Sequence, residues 1–73
     1  MKNIETLIAD GGSVSLDALA PHDCVAVASD HHNMLAALVR REGESLAALL
    51  KRLDRALGRY YDDGETVDEI NES

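Results

Sequence analysis

Apolar residues recur most regularly between Leu46 and Tyr60. Leu46, Leu50, Leu53, Leu57 and Tyr60 follow one another at steps of 4, 3, 4 and 3, and Leu49 and Ala56 widen the stripe. That period lays one face of an α-helix against a partner. The intervening Lys51, Arg52, Asp54, Arg55, Gly58 and Arg59 are polar or small. Ser45 is placed to cap such a helix by accepting a free amide hydrogen bond, and Asp62-Asp63-Gly64 ends it after Tyr61. Upstream, Met34, Leu35, Leu38 and Val39 fall at i, i+1, i+4 and i+5, which predicts a second amphipathic helix running from a Ser29 or Asp30 cap to about Glu42. Gly43 is placed to leave that helix through a left-handed conformation. The connection Gly43-Glu44-Ser45 is short enough to make the two helices neighbours, a helical hairpin over residues 29–61.

The flanking segments are shorter. Ile4, Leu7 and Ile8 give Asn3 to Ala9 a helical spacing, stopped by Asp10-Gly11-Gly12. Val14 and Leu16 alternate with Ser13, Ser15 and Asp17, the period of a strand. Ala20-Pro21-His22-Asp23 reads as a turn, and Cys24 to Ala28, with Val25 and Val27 on one face, as a second strand. The two strands would pair as a hairpin; the alternative is one helical turn over Ser15 to Ala20. Thr66-Val67-Asp68-Glu69 fits a capping box and predicts a last helical turn over 67–71 with Val67 and Ile70 inward. The expected fold is therefore mainly α with a small β element. One small domain would comprise an N-terminal strand or hairpin in residues 1–28, a two-helix hairpin in 29–61, and an acidic tail with a short helical turn in 62–73.

Composition turns that pattern into an expectation of assembly. The chain of 73 residues contains no Phe or Trp, and Cys24 is its only cysteine, so no intrachain disulfide can staple it. Domains of this size bury a low fraction of their unfolded surface, and one core seldom supplies more than about 3–5 kcal/mol. A homodimer is the simplest further source of stability. Its expected interface is Leu46, Leu49, Leu50, Leu53, Leu57 and Tyr60 with Met34 and Leu38. Tyr60 would close the seam or, with Tyr61, anchor a partner. No apolar run approaches the roughly 18 residues of a membrane span, and none resembles a signal-peptide core. A cytoplasmic setting without membrane contact is expected, and a lone thiol suits it.

The net charge of −7 is unevenly spread. Residues 1–39 set Lys2 against Glu5, Asp10, Asp17, Asp23 and Asp30. Residues 40–59 carry Arg40, Arg41, Lys51, Arg52, Arg55 and Arg59 against Glu42, Glu44 and Asp54. Residues 60–73 carry Asp62, Asp63, Glu65, Asp68, Glu69 and Glu72 with no base. A basic middle thus lies between acidic ends. Either these are complementary solvated surfaces, or the tail masks the basic segment until a partner displaces it.

Candidate chemistry is sparse. His22, Cys24, His31 and His32 fall within eleven residues, and four such donors could complete a zinc site. Adjacent histidines on a helix point about 100° apart, however, so one backbone does not easily aim both at one ion. A Cys24–His pair oriented by Asp23 or Asp30 would be a formal nucleophile, but so short a chain leaves little room for a walled cleft. Gly11-Gly12 lacks the pattern of a phosphate loop. No enzyme activity, cofactor or metal is expected.

One resemblance arises from the order of elements. A strand at Cys24–Ala28, a polar cap at Ser29-Asp30, a helix at His31–Glu42, the Gly43-Glu44-Ser45 turn and a helix at Leu46–Tyr61 together resemble the ribbon-helix-helix family of small dimeric DNA-binding proteins, many of them antitoxins. The resemblance implies a dimer. It does not carry DNA reading over, because the strand that would enter the major groove holds no Lys or Arg and comes after Asp23. Met34 to Asn71, with Arg41-Glu42-Gly43-Glu44-Ser45-Leu46 and Val67-Asp68-Glu69-Ile70-Asn71, also looks like small acidic bacterial and prophage reading frames. Phage inhibitors of host defence, anti-CRISPR proteins among them, share that size and charge. The leading expectation is a non-enzymatic module that self-associates and binds a basic surface on a partner protein, as an inhibitor or regulator. A nucleic-acid regulator using Arg40, Arg41, Lys51, Arg52, Arg55 and Arg59 stands second, and a small zinc domain third.

Overall fold

In a computed structural model, which describes residues 1–71, six elements succeed one another: α1 (Lys2–Ala9), β1 (Ser13–Leu19), β2 (His22–Ser29), β3 (Met34–Val39), α2 (Leu46–Asp63) and β4 (Val67–Asp68). Glu72 and Ser73, the end of the acidic tail, lie outside the described residues. The strands make one sheet in the order β1-β2-β3-β4. β1, β2 and β3 form an antiparallel meander, and β4 runs parallel to β3. A parallel neighbour cannot be reached by a tight turn; α2 is the crossover that reaches it.

α2 forms where the leucine spacing places it. The Ser45 hydroxyl accepts from the Ala48 amide at 3.1 Å, and Gly64, with φ at 72°, ends the helix by donating to the Tyr60 carbonyl at 2.7 Å. Leu49, Leu53 and Leu57 are fully buried and Ala56 nearly so. Facing them, Ala26, Ala28 and Ala36 are fully buried on the sheet. Small side chains on the strands let the leucine row of the helix sit close, with large residues against small ones. Leu7 of α1, Leu35 and Leu38 complete this core, and Ile4, Val14, Cys24, Leu50, Tyr60 and Val67 pack at its margin. Both helices therefore lie on one face of the sheet.

The mainly α fold with a helical hairpin is corrected by this structure. Residues 34–39, expected in a helix, are β3. Met-Leu-Ala-Ala-Leu-Val is six apolar residues in succession, a run that serves a strand covered on both faces as well as a buried helix. Hydrogen-bonded between β2 and β4, it becomes a strand, with Ala36 and Leu38 in the core and Ala37 and Val39 on the other face. Asp30 caps a turn instead of a helix: its carboxylate accepts from the amides of His32 at 2.8 Å and Asn33 at 2.7 Å. The register shifts at Ala28/Ser29, and Leu35 joins Ala36 in the core. Gly43 does adopt a positive φ of 77°, but in the turn between β3 and α2. The last helical turn expected over 67–71 is replaced by β4. Glu69 does not close a capping box; its carboxylate accepts from the Val39 amide at 2.9 Å. The hairpin of Ser13–Leu19 with Cys24–Ala28 is present, and a helical turn at Ser15–Ala20 is not.

α1 has no side-chain cap of its own. Asp54, in the middle of α2, supplies one: its carboxylate accepts from the Ile4 amide at 2.9 Å, while the Asn3 side chain donates to the Asp54 carbonyl at 3.0 Å.

Candidate protein-binding face

With both helices on one side, the register assigns the other side of the sheet. Successive strand residues alternate between faces, and the core rows are Leu16–Ala26–Leu38 and Val14–Ala28–Ala36–Val67. The opposite face is made of the intervening rows, Asp17–Val25–Val39 and Ser15–Val27–Ala37–Asp68. The second row is apolar in the middle with Ser15 and Asp68 at its ends, and the first is acidic at its Asp17 end and apolar through Val39. Val25 and Ala37 are buried among their neighbours, while Val27 and Val39 are half-buried. Among the described residues no helix covers this block. Asp23, two residues before Val25, adds a further carboxylate on the same side.

A network at one edge holds these rows in place. Arg52 of α2 donates to Glu44 through Nε at 2.7 Å and Nη2 at 3.0 Å, to Glu69 through Nη1 at 3.2 Å, and to the Val39 carbonyl at 2.9 Å. The Glu69 amide donates to the Ala37 carbonyl at 2.8 Å. One guanidinium thereby ties the loop before α2, the end of β3 and the strand β4 together. The Arg52 side chain, with the Arg41 amide at 3.0 Å second to it, holds the Glu44 carboxyl down at about 2, against an ordinary 4.5. A carboxylate whose folded pKa is depressed stabilises the fold above its unfolded pKa and loses that contribution as pH falls through the folded value. Glu44→Gln should accordingly lower the urea midpoint at neutral pH, and the gap to wild type should close between about pH 4.5 and 2. A constant gap down to pH 2 would show that the pair does not couple to folding. The Asn71 side chain and amide likewise lower the Asp68 carboxyl, so that end of its row stays charged.

The interface expected from sequence is largely spent inside the molecule. Leu49, Leu53, Leu57 and Leu38 are buried against the chain's own sheet, Met34, Leu50 and Tyr60 are half-buried, and Leu46 is 46% exposed. The zinc donors are not brought together. His22 and Cys24 lie at the start of β2, and His31 and His32 lie beyond its end, so the strand separates the pairs by about 20 Å. Among the described residues no group of three or more His, Cys, Asp or Glu is arranged to hold a metal. Cys24 packs at the margin of the core. The basic residues divide: Arg52 is committed to its two glutamates, Arg40 and Arg41 lie exposed between β3 and α2, and Lys51, Arg55 and Arg59 form an exposed row along α2. The α2 row by itself would neutralise about three phosphates, a weak contact. Arg55 and Arg59 line a shallow groove of about 260 Å³ floored by Leu38, Ala56 and Val67.

The sheet face was not singled out in the sequence. Its signal was the joint alternation of Val25 and Val27 with Cys24, Ala26 and Ala28, which leaves valines on the side the alanines do not use. No helix among the described residues is long and apolar enough to cross a membrane. No protein-family model, curated protein or solved structure matches the chain.

Proposed function

We propose that this protein is a non-catalytic, cytoplasmic protein-binding module that presents its helix-free sheet face to a partner bearing Lys or Arg. The observation that carries this reading is the pair of cross-strand rows, apolar at Val25, Val27, Ala37 and Val39 and acidic at Asp17 and Asp68. An apolar centre inside a charged rim is the usual anatomy of a protein interface. The net charge of −7 speeds encounter with a basic surface and selects against acidic ones. Occupying such a surface on a nucleic-acid-handling protein would make the module an inhibitor or regulator.

A photo-crosslinking residue placed at Val27 in one variant and at Ala47, on the exposed side of α2, in another tests the assignment in extract. Adducts are expected from position 27 alone, and Asp17→Arg combined with Asp23→Arg should abolish them while the circular dichroism spectrum is unchanged. Equal yields from both positions, or adducts indifferent to the charge reversal, would overturn it.

A further inference from the structure

The sheet has two edges, and they differ. β4 is two residues long, and the chain beyond it is folded back by the Asp68–Asn71 turn, so that edge offers no template. β1 is seven residues long and, among the described residues, pairs only with β2, which leaves its outer backbone edge unpaired. Natural edge strands are commonly blunted by lysine, proline or a covering segment. Ser13–Leu19 contains no Lys, Arg or Pro and only one charge, Asp17, in a chain whose net charge is −7. Leu16 is 40% exposed and Leu19 45%, and Ile8 on α1, which packs beside β1, is 51% exposed. The single blunting device is the register irregularity between Asp17 and Leu19, which leaves Ser13–Asp17 as a regular run.

That run is complementary to itself. A two-fold axis through Ser15 pairs two antiparallel copies so that Val14 lies opposite Leu16 of the second copy, and Leu16 opposite its Val14. These contacts fall on the helix side, where the exposed Leu16 needs cover. On the other side Ser15 meets Ser15, and each Ser13 hydroxyl meets an Asp17 carboxylate. No like charges oppose one another, and apolar residues oppose apolar ones, as stable cross-strand pairs require. An isologous contact of this kind closes after two copies.

We infer that two copies of this chain join edge to edge through β1, Ser13–Asp17 pairing with itself about Ser15, to give a continuous eight-stranded sheet. All four helices lie on one side of that sheet. The other side doubles the helix-free face and makes its binding bivalent, although the pairing does not depend on what that face binds. One strand pair buries little area, so the affinity is weak, with a Kd on the order of 100 μM.

Sedimentation velocity on the full chain, from about 10 μM to about 1 mM, reads the equilibrium directly. A monomer–dimer shift across that range is expected, and Leu16→Lys should weaken it at least about tenfold. Because Leu16 also touches the fold, a second measurement fixes the register. Directly opposed residues in an antiparallel pair have Cα atoms about 4.5–5.5 Å apart, within disulfide reach. In a Cys24→Ala background, Ser15→Cys should oxidise to a covalent dimer and Ser13→Cys should not. Monomers at every concentration, a dimer indifferent to Leu16→Lys, or covalent dimers from Ser13→Cys rather than Ser15→Cys would overturn the inference. None of these outcomes bears on whether a basic partner binds the sheet face.

Discussion

Leu53→Ala should cost about 3 kcal/mol, within the range of roughly 2–5 kcal/mol measured when a buried leucine is truncated. Leu53 is fully buried at the centre of the α2 row, with the sheet alanines Ala26, Ala28 and Ala36 in the same core. Alanine side chains have no rotamers with which to fill a void, so the cavity persists and the loss does not shrink by repacking. A domain of this size holds only about 3–5 kcal/mol in reserve, so the variant keeps about 0–2 kcal/mol and from a few per cent to about half of it should be unfolded at 25 °C. Leu46→Ala, at a side chain 46% exposed, should change stability by no more than about 0.5 kcal/mol. Urea denaturation monitored by circular dichroism separates the two. It also separates an internal core from a helix–helix seam between copies: the Leu53→Ala loss should be independent of protein concentration, and a strong dependence would show that the leucine row packs against a second chain.

Gly12→Ala is the second large effect. Gly12 lies between α1 and β1, where the chain reverses against the end of β2. A β-carbon there would stand 2.4 Å from Leu7 Cδ1 and 2.7 Å from the Ser29 carbonyl oxygen. The leucine could rotate away only by leaving the core, and the carbonyl belongs to the backbone of β2. Overpacking of this kind costs roughly 1–3 kcal/mol, and the backbone clash places this substitution at the upper end. A drop in thermal midpoint of about 10 °C or more should result for a domain this small. A midpoint within about 2 °C of wild type would mean that the α1–β1 corner yields without strain. In the sequence Gly11-Gly12 reads only as a helix stop; the tight approach of Leu7 and Ser29 depends on a tertiary contact that local pattern does not encode.

How far the fold was legible depends on that distinction between local and non-local causes. Ser45 and the leucine spacing locate α2 because cap and period act within one turn of each other. The β1–β2 hairpin was readable because Val14 and Leu16 alternate with polar residues on an exposed edge. β3 was not. Its residues are apolar on both faces, so period two disappears, and Leu35 and Leu38 then imitate a helical stripe. Thr66 and Glu69 satisfy a capping box in sequence, but Glu69 finds a stronger partner in Arg52, seventeen residues earlier. The leucines expected at an interface do form a buried row, and what they are buried by is the chain's own sheet. The helix-free face became visible only with the cross-strand register, since a valine in β2 acquires its neighbours from β1 and β3.

The cap that Asp54 supplies to α1 also sets an order of events as the polypeptide is made. Eight residues are too few to hold a helix alone in water, and the carboxylate that finishes this one is fifty positions downstream. Residues 2–9 must therefore wait as loose chain until α2 has been made. A nascent chain arrested before Asp54 would leave residues 2–9 open to proteases, and synthesis through α2 would close that window.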